Sequence, residues 1–286
     1  YKAQQWAERA YFDPEQIKEP VTASIKWHPD NKKNISNMPI GAFFEDINYA
    51  ADGGLYAELI QNRDFEYHPD DKEGRDKNWN GYKAWSAADS NSTFSIDSIN
   101  PIHANNKNYA TLNIKDIGSG LINEGWDGIP IKAGEKYDFS IFARSPENQR
   151  GKLTICLISK NNEILGEATT KNISKEWQKY ETMITAKQTV ENARLIIIPQ
   201  QTGRIDLDMI SLFPQKTFKN RKNGLREDLA QTIADMKPRF VRFPGGCVAH
   251  GDGIHNIYRW ENTIGSLETR KPQRNLWGYH QTAGLG

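Results

Sequence analysis

The chain has 286 residues, 37% of them hydrophobic and 10% aromatic, enough for one large domain or two ordinary ones around a packed core. A formal net charge of +1 leaves no electrostatic footprint for nucleic acid or an anionic membrane surface, and no apolar run approaches the ~20 residues that span a bilayer. Two cysteines, Cys156 and Cys247, are too few and too far apart to form a disulfide framework.

The chain starts at Tyr1 rather than Met and shows no basic-then-apolar leader, so any targeting peptide is expected to have been removed or to lie outside this sequence. Residues 1–20 are polar and aromatic by turns, and Gln4 to Ala10 suits a helical turn or two. From Val21 to Trp27 the alternation predicts a half-exposed strand, and Asp30 to Asn37 reads as a polar turn region. Ile40 to Phe44 is almost wholly apolar, as in a strand covered on both faces. It ends in adjacent acids, Glu45 and Asp46, with Asn48 just behind. In parallel α/β architectures ligand groups gather at the C-terminal ends of strands. Acids placed there suit polyol binding, metal binding or acid–base work, and equally a solvated loop. Gly53-Gly54 breaks the chain, and Leu55 to Ile60 reads as helical for a turn or two.

From about residue 65 to 214 short alternating strands recur between turn residues. They run through Thr93–Ile96, Tyr109–Ile114, Tyr137–Ala143, Lys152–Ile158, Tyr180–Ile184, Ala193–Ile198 and Arg204–Ile210. Seven such strands predict an antiparallel β-sandwich of roughly 150 residues. Trp85 and Trp177 read as core residues. Trp126, in the loop Glu124-Gly125-Trp126-Asp127-Gly128, is the candidate for stacking on a sugar, with a core position as the plain alternative.

After Pro214 the pattern changes again. Asn223 and Gly224 can cap a helix whose apolar residues are Leu225, Leu229, Ile233 and Met236, with Glu227 and Asp228 in its first turn. Pro238 stops it, and Arg239 to Phe243 reads as a short buried strand ended by Pro244-Gly245-Gly246. A buried Arg242 needs a carboxylate or a polar ligand, and Cys247 follows at the rim. Helix, short link and buried strand make one step of a parallel α/β fold. Two such strands cannot close a barrel, so the sequence is expected to be a truncated part of one.

Three chemistries fit poorly. Cys247, His250, Asp252 and His255 lie within nine residues, but their spacing matches no standard zinc pattern, and no metal is expected. Cys247 as a nucleophile has candidate bases in His250 and His255 but no marked orienting group. Gly245-Gly246 lacks a phosphate-binding spacing. What remains is a pocket of Glu45, Asp46, Asn48, Arg242 and Cys247, suited to a neutral polyhydroxylated ligand without a cofactor.

The stretches Gly41-Ala42-Phe43-Phe44-Glu45-Asp46-Ile47-Asn48 through Asn62-Arg63, and Val241-Arg242-Phe243-Pro244-Gly245-Gly246-Cys247 through Trp260-Glu261-Asn262-Thr263-Ile264-Gly265, resemble glycoside hydrolase family 51. Its members are retaining α-L-arabinofuranosidases built on a (β/α)8 TIM barrel with an added β-sandwich. The resemblance implies an α/β plus all-β chain: the first strands of an incomplete barrel and an inserted, jelly-roll-like antiparallel sandwich similar to carbohydrate-binding modules. The implied divisions are 1–64, 65–214 and 215–286.

By that resemblance Glu45 hydrogen-bonds arabinose hydroxyls, Arg242 orients the active-site carboxylates, and Cys247 contacts the sugar. Asp46 and Asn48 belong to the same substrate-binding group, Trp277 shapes the entrance, and Trp126 is a candidate glycan contact in the sandwich. The acid/base and nucleophile glutamates are expected beyond Gly286, since Glu261 and Glu268 come too soon in the chain. The implied parent is a periplasmic or extracellular enzyme acting on arabinose-containing oligosaccharides or polysaccharides, with no cofactor, nucleic acid or membrane partner. A homo-oligomer through the full-length barrel stays open. The alternative is a non-catalytic carbohydrate-binding protein.

Overall fold

The computed structural model describes residues 22–281 except 31, 37, 48, 72–75, 148–149, 252 and 275–279. The predicted turn of helix at Gln4 to Ala10, Asn48 and Trp277 lie outside the described residues. The chain divides into two compact units at Pro39 and Ile40. In the first, residues 22–28 are exposed and carry no regular structure, so the strand expected at Val21 to Trp27 does not form there.

The second unit is dominated by two antiparallel sheets. Its elements in chain order are β1 (Ala42–Phe43), β2 (Trp85–Ala87), β3 (Ser92–Asp97), β4 (Tyr109–Ile114), β5 (Leu121–Asn123), β6 (Ile129–Ile131), β7 (Lys136–Arg144) and β8 (Leu153–Ile158). Then follow β9 (Ile164–Thr169), β10 (Gln178–Thr185), β11 (Val190–Pro199), β12 (Gly203–Pro214), α1 (Glu227–Asp235), β13 (Val241–Arg242), α2 (Cys247–His250), β14 (Gln273–Arg274) and β15 (His280–Gln281). One sheet has the order β10-β7-β12-β4-β3, and the other β2-β5-β11-β8-β9 with β6 also on β11.

The two sheets face each other across a single core. β7 shows why: Tyr137, Phe139, Ile141 and Ala143 alternate inward, while Asp138, Ser140 and Phe142 point the other way. These side chains share one buried cluster with Leu112, Leu207 and Leu212 from the same sheet and with Leu153, Ile155, Leu157, Leu195 and Ile197 from the facing sheet. Trp85 joins that core, as expected. Trp177 does not. It is half-buried beneath the guanidinium of Arg144, 4.5 Å from its ring, and its Nε1 donates to the Asn100 carbonyl at 3.0 Å. The ring shields a charge network on the outward face of the sheet rather than filling the interior.

Residues 55–60 are not helical. Tyr56 bridges Leu225, Ala57 N donates to Gly224 O at 3.2 Å, and Leu59 N donates to Leu212 O at 3.0 Å. Pairing with segments far along the chain overrides the local helical pattern. The same contacts delay α1, which begins at Glu227 because residues 224 and 225 are held in that pairing.

Candidate functional site

β1 and β13 pair in parallel, Ala42 opposite Val241 and Phe43 opposite Arg242. The ladder extends beyond those residues: Arg239 N donates to Ile40 O at 3.0 Å, Ala42 N to Phe240 O at 2.9 Å, Phe44 N to Arg242 O at 3.0 Å and Asp46 N to Pro244 O at 3.2 Å. Two segments some two hundred residues apart therefore end side by side. The strand at 239–243 was expected to be buried, and it is not. Ile40 is 68% exposed, Phe43 56% and Val241 54%, so much of this ladder's apolar surface is uncovered among the described residues.

At the ends of the pair, Glu45 Oε1 accepts the Cys247 N–H at 2.8 Å. Gly245 makes that contact possible. Its φ is +127°, and a Cβ there would overlap Glu45 Cγ. Cys247 opens α2 as a half-buried free thiol. Arg242 is exposed, and its guanidinium lies 4.8 Å over the Phe43 ring. The arginine expected to be buried is thus an exposed cation stacked on an aromatic ring.

Asp46 turns away from this contact. Its Oδ1 accepts the Ala51 N–H at 2.9 Å, closing the loop that follows β1. Burial and the neighbouring Asp52 carboxylate push its pKa up to about 7, against the opposing Ala51 hydrogen bond. A carboxyl poised near neutrality donates or accepts a hydrogen bond as pH requires, which suits hydroxyl recognition and proton handling alike. Glu45, Asp46, Arg242 and Cys247 are therefore brought to one end of the parallel pair. Cys247, His250 and His255 do not form a metal site among the described residues, Asp252 lying outside them.

Trp126 reaches the same loop from the sandwich. Its ring covers Gly53, where a Cβ would lie 2.5 Å from ring carbons, and Gly53 holds φ +83°. Tyr49 sets its ring 5.1 Å from Trp126 at 65° and 6.1 Å from Trp79 at 25°, and Trp79 stacks on Tyr67 at 4.3 Å and 9°. That these rings meet over Gly53-Gly54 has no local trace in the sequence, since Tyr49, Tyr67, Trp79 and Trp126 lie far apart in the chain.

Comparison with known proteins bears on both halves of this arrangement. Residues 57–203 match the family described as a carbohydrate binding domain, and residues 232–286 match the α-L-arabinofuranosidase 1 domain. An extracellular exo-α-L-arabinofuranosidase of Streptomyces chartreusis is 37% identical over 266 residues, 88% of this chain and 30% of that protein. α-L-Arabinofuranosidase 1 of Arabidopsis thaliana is 33% identical over 286 residues, 95% of this chain and 41% of that protein. An arabinose-bound family 51 α-L-arabinofuranosidase structure superposes with a TM-score of 0.76 at 33% identity, covering 86% of this chain and 40% of that one.

The chain is similar to family 51 α-L-arabinofuranosidases over most of its length, and its residues 57–203, just over half of it, belong to the carbohydrate binding domain family. It spans about 30–41% of the length of these relatives. The α-L-arabinofuranosidase 1 domain match begins within α1 and takes in β13 and α2, and the carbohydrate binding domain match precedes it in the chain. Among the described residues no helix is long and apolar enough to cross a membrane.

Proposed function

We propose that the protein to which this chain belongs is a retaining α-L-arabinofuranosidase. It removes terminal arabinofuranosyl groups from arabinose-containing plant polysaccharides or oligosaccharides. The observation that carries the reading is the meeting of Glu45 and Cys247 at the C-terminal ends of a parallel strand pair, where a (β/α)8 barrel builds its sites. Under this reading β1 and the α1–β13 step begin such a barrel, with chain divisions near 64 and 214. The uncovered surface of Ile40, Phe43 and Val241 supports further barrel elements packing there.

Glu45, Asp46 and Asn48 would accept or donate to sugar hydroxyls, Cys247 would touch the ring, and Trp277 would border the opening. Arg242 would exchange its stacking on Phe43 for the carboxylates of the catalytic pair. Those two groups, an acid/base and a nucleophile about 5 Å apart in a retaining enzyme, would come from the remainder of the protein. The Streptomyces relative's extracellular description supports action outside the cell.

A second reading is favoured by the carbohydrate binding domain match: a protein that binds glycan without cleaving it, with Trp126 as one contact. Incubating the full-length protein with nitrophenyl α-L-arabinofuranoside separates the two. Release of nitrophenol is expected. No release, combined with retention on an arabinan gel, would establish the binding reading instead.

A further inference from the structure

The sandwich is not tethered to the site by a linker. Leu59 N bonds Leu212 O at 3.0 Å, Ile210 N bonds Arg63 O at 2.9 Å, and Ile60 and Phe65 lie in the sandwich core. Trp85 Nε1 donates to Asn62 O at 2.8 Å, and Asn123 Nδ2 to Gln61 O at 3.0 Å. The chain leaving β1 thus passes, within about twenty residues, from the Glu45 contact into that core. Between them sits the loop 46–56, closed by Asp46 on Ala51 and by backbone bonds from Leu55 N to Ala50 O at 2.8 Å and Tyr56 N to Ala51 O at 3.0 Å.

That loop has one conspicuous weakness. Gly53 and Gly54 are adjacent, and Gly53 and Tyr49 both hold positive φ. Such backbone is costly to fix from within the loop itself. The sandwich supplies the fixing. Trp126, presented by the turn between β5 and β6, lays its ring on Gly53 and meets the edge of Tyr49, while Trp79 and Tyr67 back Tyr49 from behind. Asp52 adjoins Gly53 and is the charged group that acts on Asp46. A loop free to move at Gly53 would change the surroundings of both acids.

We infer that Trp126 is a positioning residue for the arabinofuranosidase reaction: through Gly53 and Tyr49 it holds the Asp46 loop in its working shape. The sandwich then serves the site as a wall, whatever glycan its other faces bind. The inference rests on the proposed activity. It also separates two roles for one tryptophan. A glycan-contacting Trp126 matters only for substrates long enough to reach it, whereas a positioning Trp126 matters for a single arabinofuranosyl group.

The test uses full-length protein, on nitrophenyl α-L-arabinofuranoside and on a branched arabinan. For Trp126→Ala we expect kcat/KM to fall by about tenfold or more on both substrates, as misplacement of binding groups does, with most of the nitrophenyl loss in KM. Trp126→Phe, which keeps a ring over Gly53, should recover most of it. Gly53→Ala, whose added methyl meets the Trp126 ring, should mimic the defect with Trp126 intact and guards against Trp126→Ala failing to fold. A loss confined to arabinan, or wild-type kinetics for both Trp126→Ala and Gly53→Ala, overturns the positioning role and leaves the proposed activity standing. A folded wild-type protein that releases no nitrophenol overturns both.

Discussion

Glu45 lies so close over Gly245 that a methyl at position 245 would overlap its Cγ unless one of them moved, and from there its Oε1 takes the Cys247 N–H at 2.8 Å. The acid at one strand end therefore shapes the turn at the other. Gly245→Ala adds a methyl both to a crowded point and to a backbone with φ +127°. It is expected to destabilise the protein by about 1–3 kcal/mol, read as a lower urea midpoint. Glu45→Gln retains an acceptor for Cys247 N–H and should keep the unfolding free energy within about 0.5 kcal/mol of wild type. An unchanged midpoint for Gly245→Ala would show that Glu45 can move aside freely.

Asp46 makes stability depend on pH in an unusual direction. Its pKa is raised from 3.8 to about 7 by burial and by Asp52. The native state therefore binds more protons than the unfolded chain between those values, and this group's contribution falls as pH rises through the window. Asp46→Asn keeps an oxygen for the Ala51 N–H and never ionises. Its melting temperature should match wild type near pH 4, exceed it progressively up to pH 7, and hold a constant advantage above. A difference independent of pH would place the effect elsewhere.

Inside the seam, Arg63 Nη1 donates to Glu58 Oε2 at 3.2 Å with both side chains only 3% exposed. Glu58 Oε1 also accepts Ile60 N at 3.0 Å and Leu212 N at 2.9 Å, tying the segment after β1 to β12. Burial raises the Glu58 pKa and Arg63 opposes the rise. Arg63→Met leaves a buried carboxylate without its counter-ion and should cost about 3–5 kcal/mol at neutral pH. The loss should shrink in acid, where Glu58 takes up a proton. Equal urea midpoints for variant and wild type at pH 7 would contradict this.

On the outward face of the five-stranded sheet, fully buried Asp206 accepts Arg144 Nε at 2.7 Å, Arg204 Nε at 2.8 Å and Thr111 Oγ1 at 3.0 Å. Asp206→Ala should lower stability by about 3–5 kcal/mol because two partly sequestered guanidiniums lose their carboxylate. The exposed Lys179–Glu181 pair is a fair control, with Glu181→Ala changing stability by less than about 1 kcal/mol. Comparable losses for the two would show that burial does not govern these pairs.

The sandwich was legible where one face is wet and the other dry, as in β7, whose nine residues alternate between buried and more exposed positions. β5, buried at all three positions, and β6, with Pro130 at its centre, lacked that alternation and were missed. Glu45 and Cys247 could be picked out from their places at strand ends, but their hydrogen bond joins residues 202 apart and had no local trace. Helical spacing misled at Leu55 to Ile60 because pairing with Leu212 and Gly224 outweighs a short segment's propensity. Burial of β13 was inferred from its apolar residues, whereas the described chain leaves Val241 exposed. Trp126 was a candidate for sugar stacking on residue type alone, and only its contact with Gly53 gives it a second use.

The most direct test of the account is the stereochemistry of the first product formed by the full-length protein. Proton NMR of an aryl α-L-arabinofuranoside during early turnover should show α-arabinofuranose first, with the β-anomer growing in only by mutarotation, as two carboxyls acting through a covalent intermediate require. Initial appearance of the β-anomer, or no sugar release by a folded protein that still binds arabinan, would contradict it.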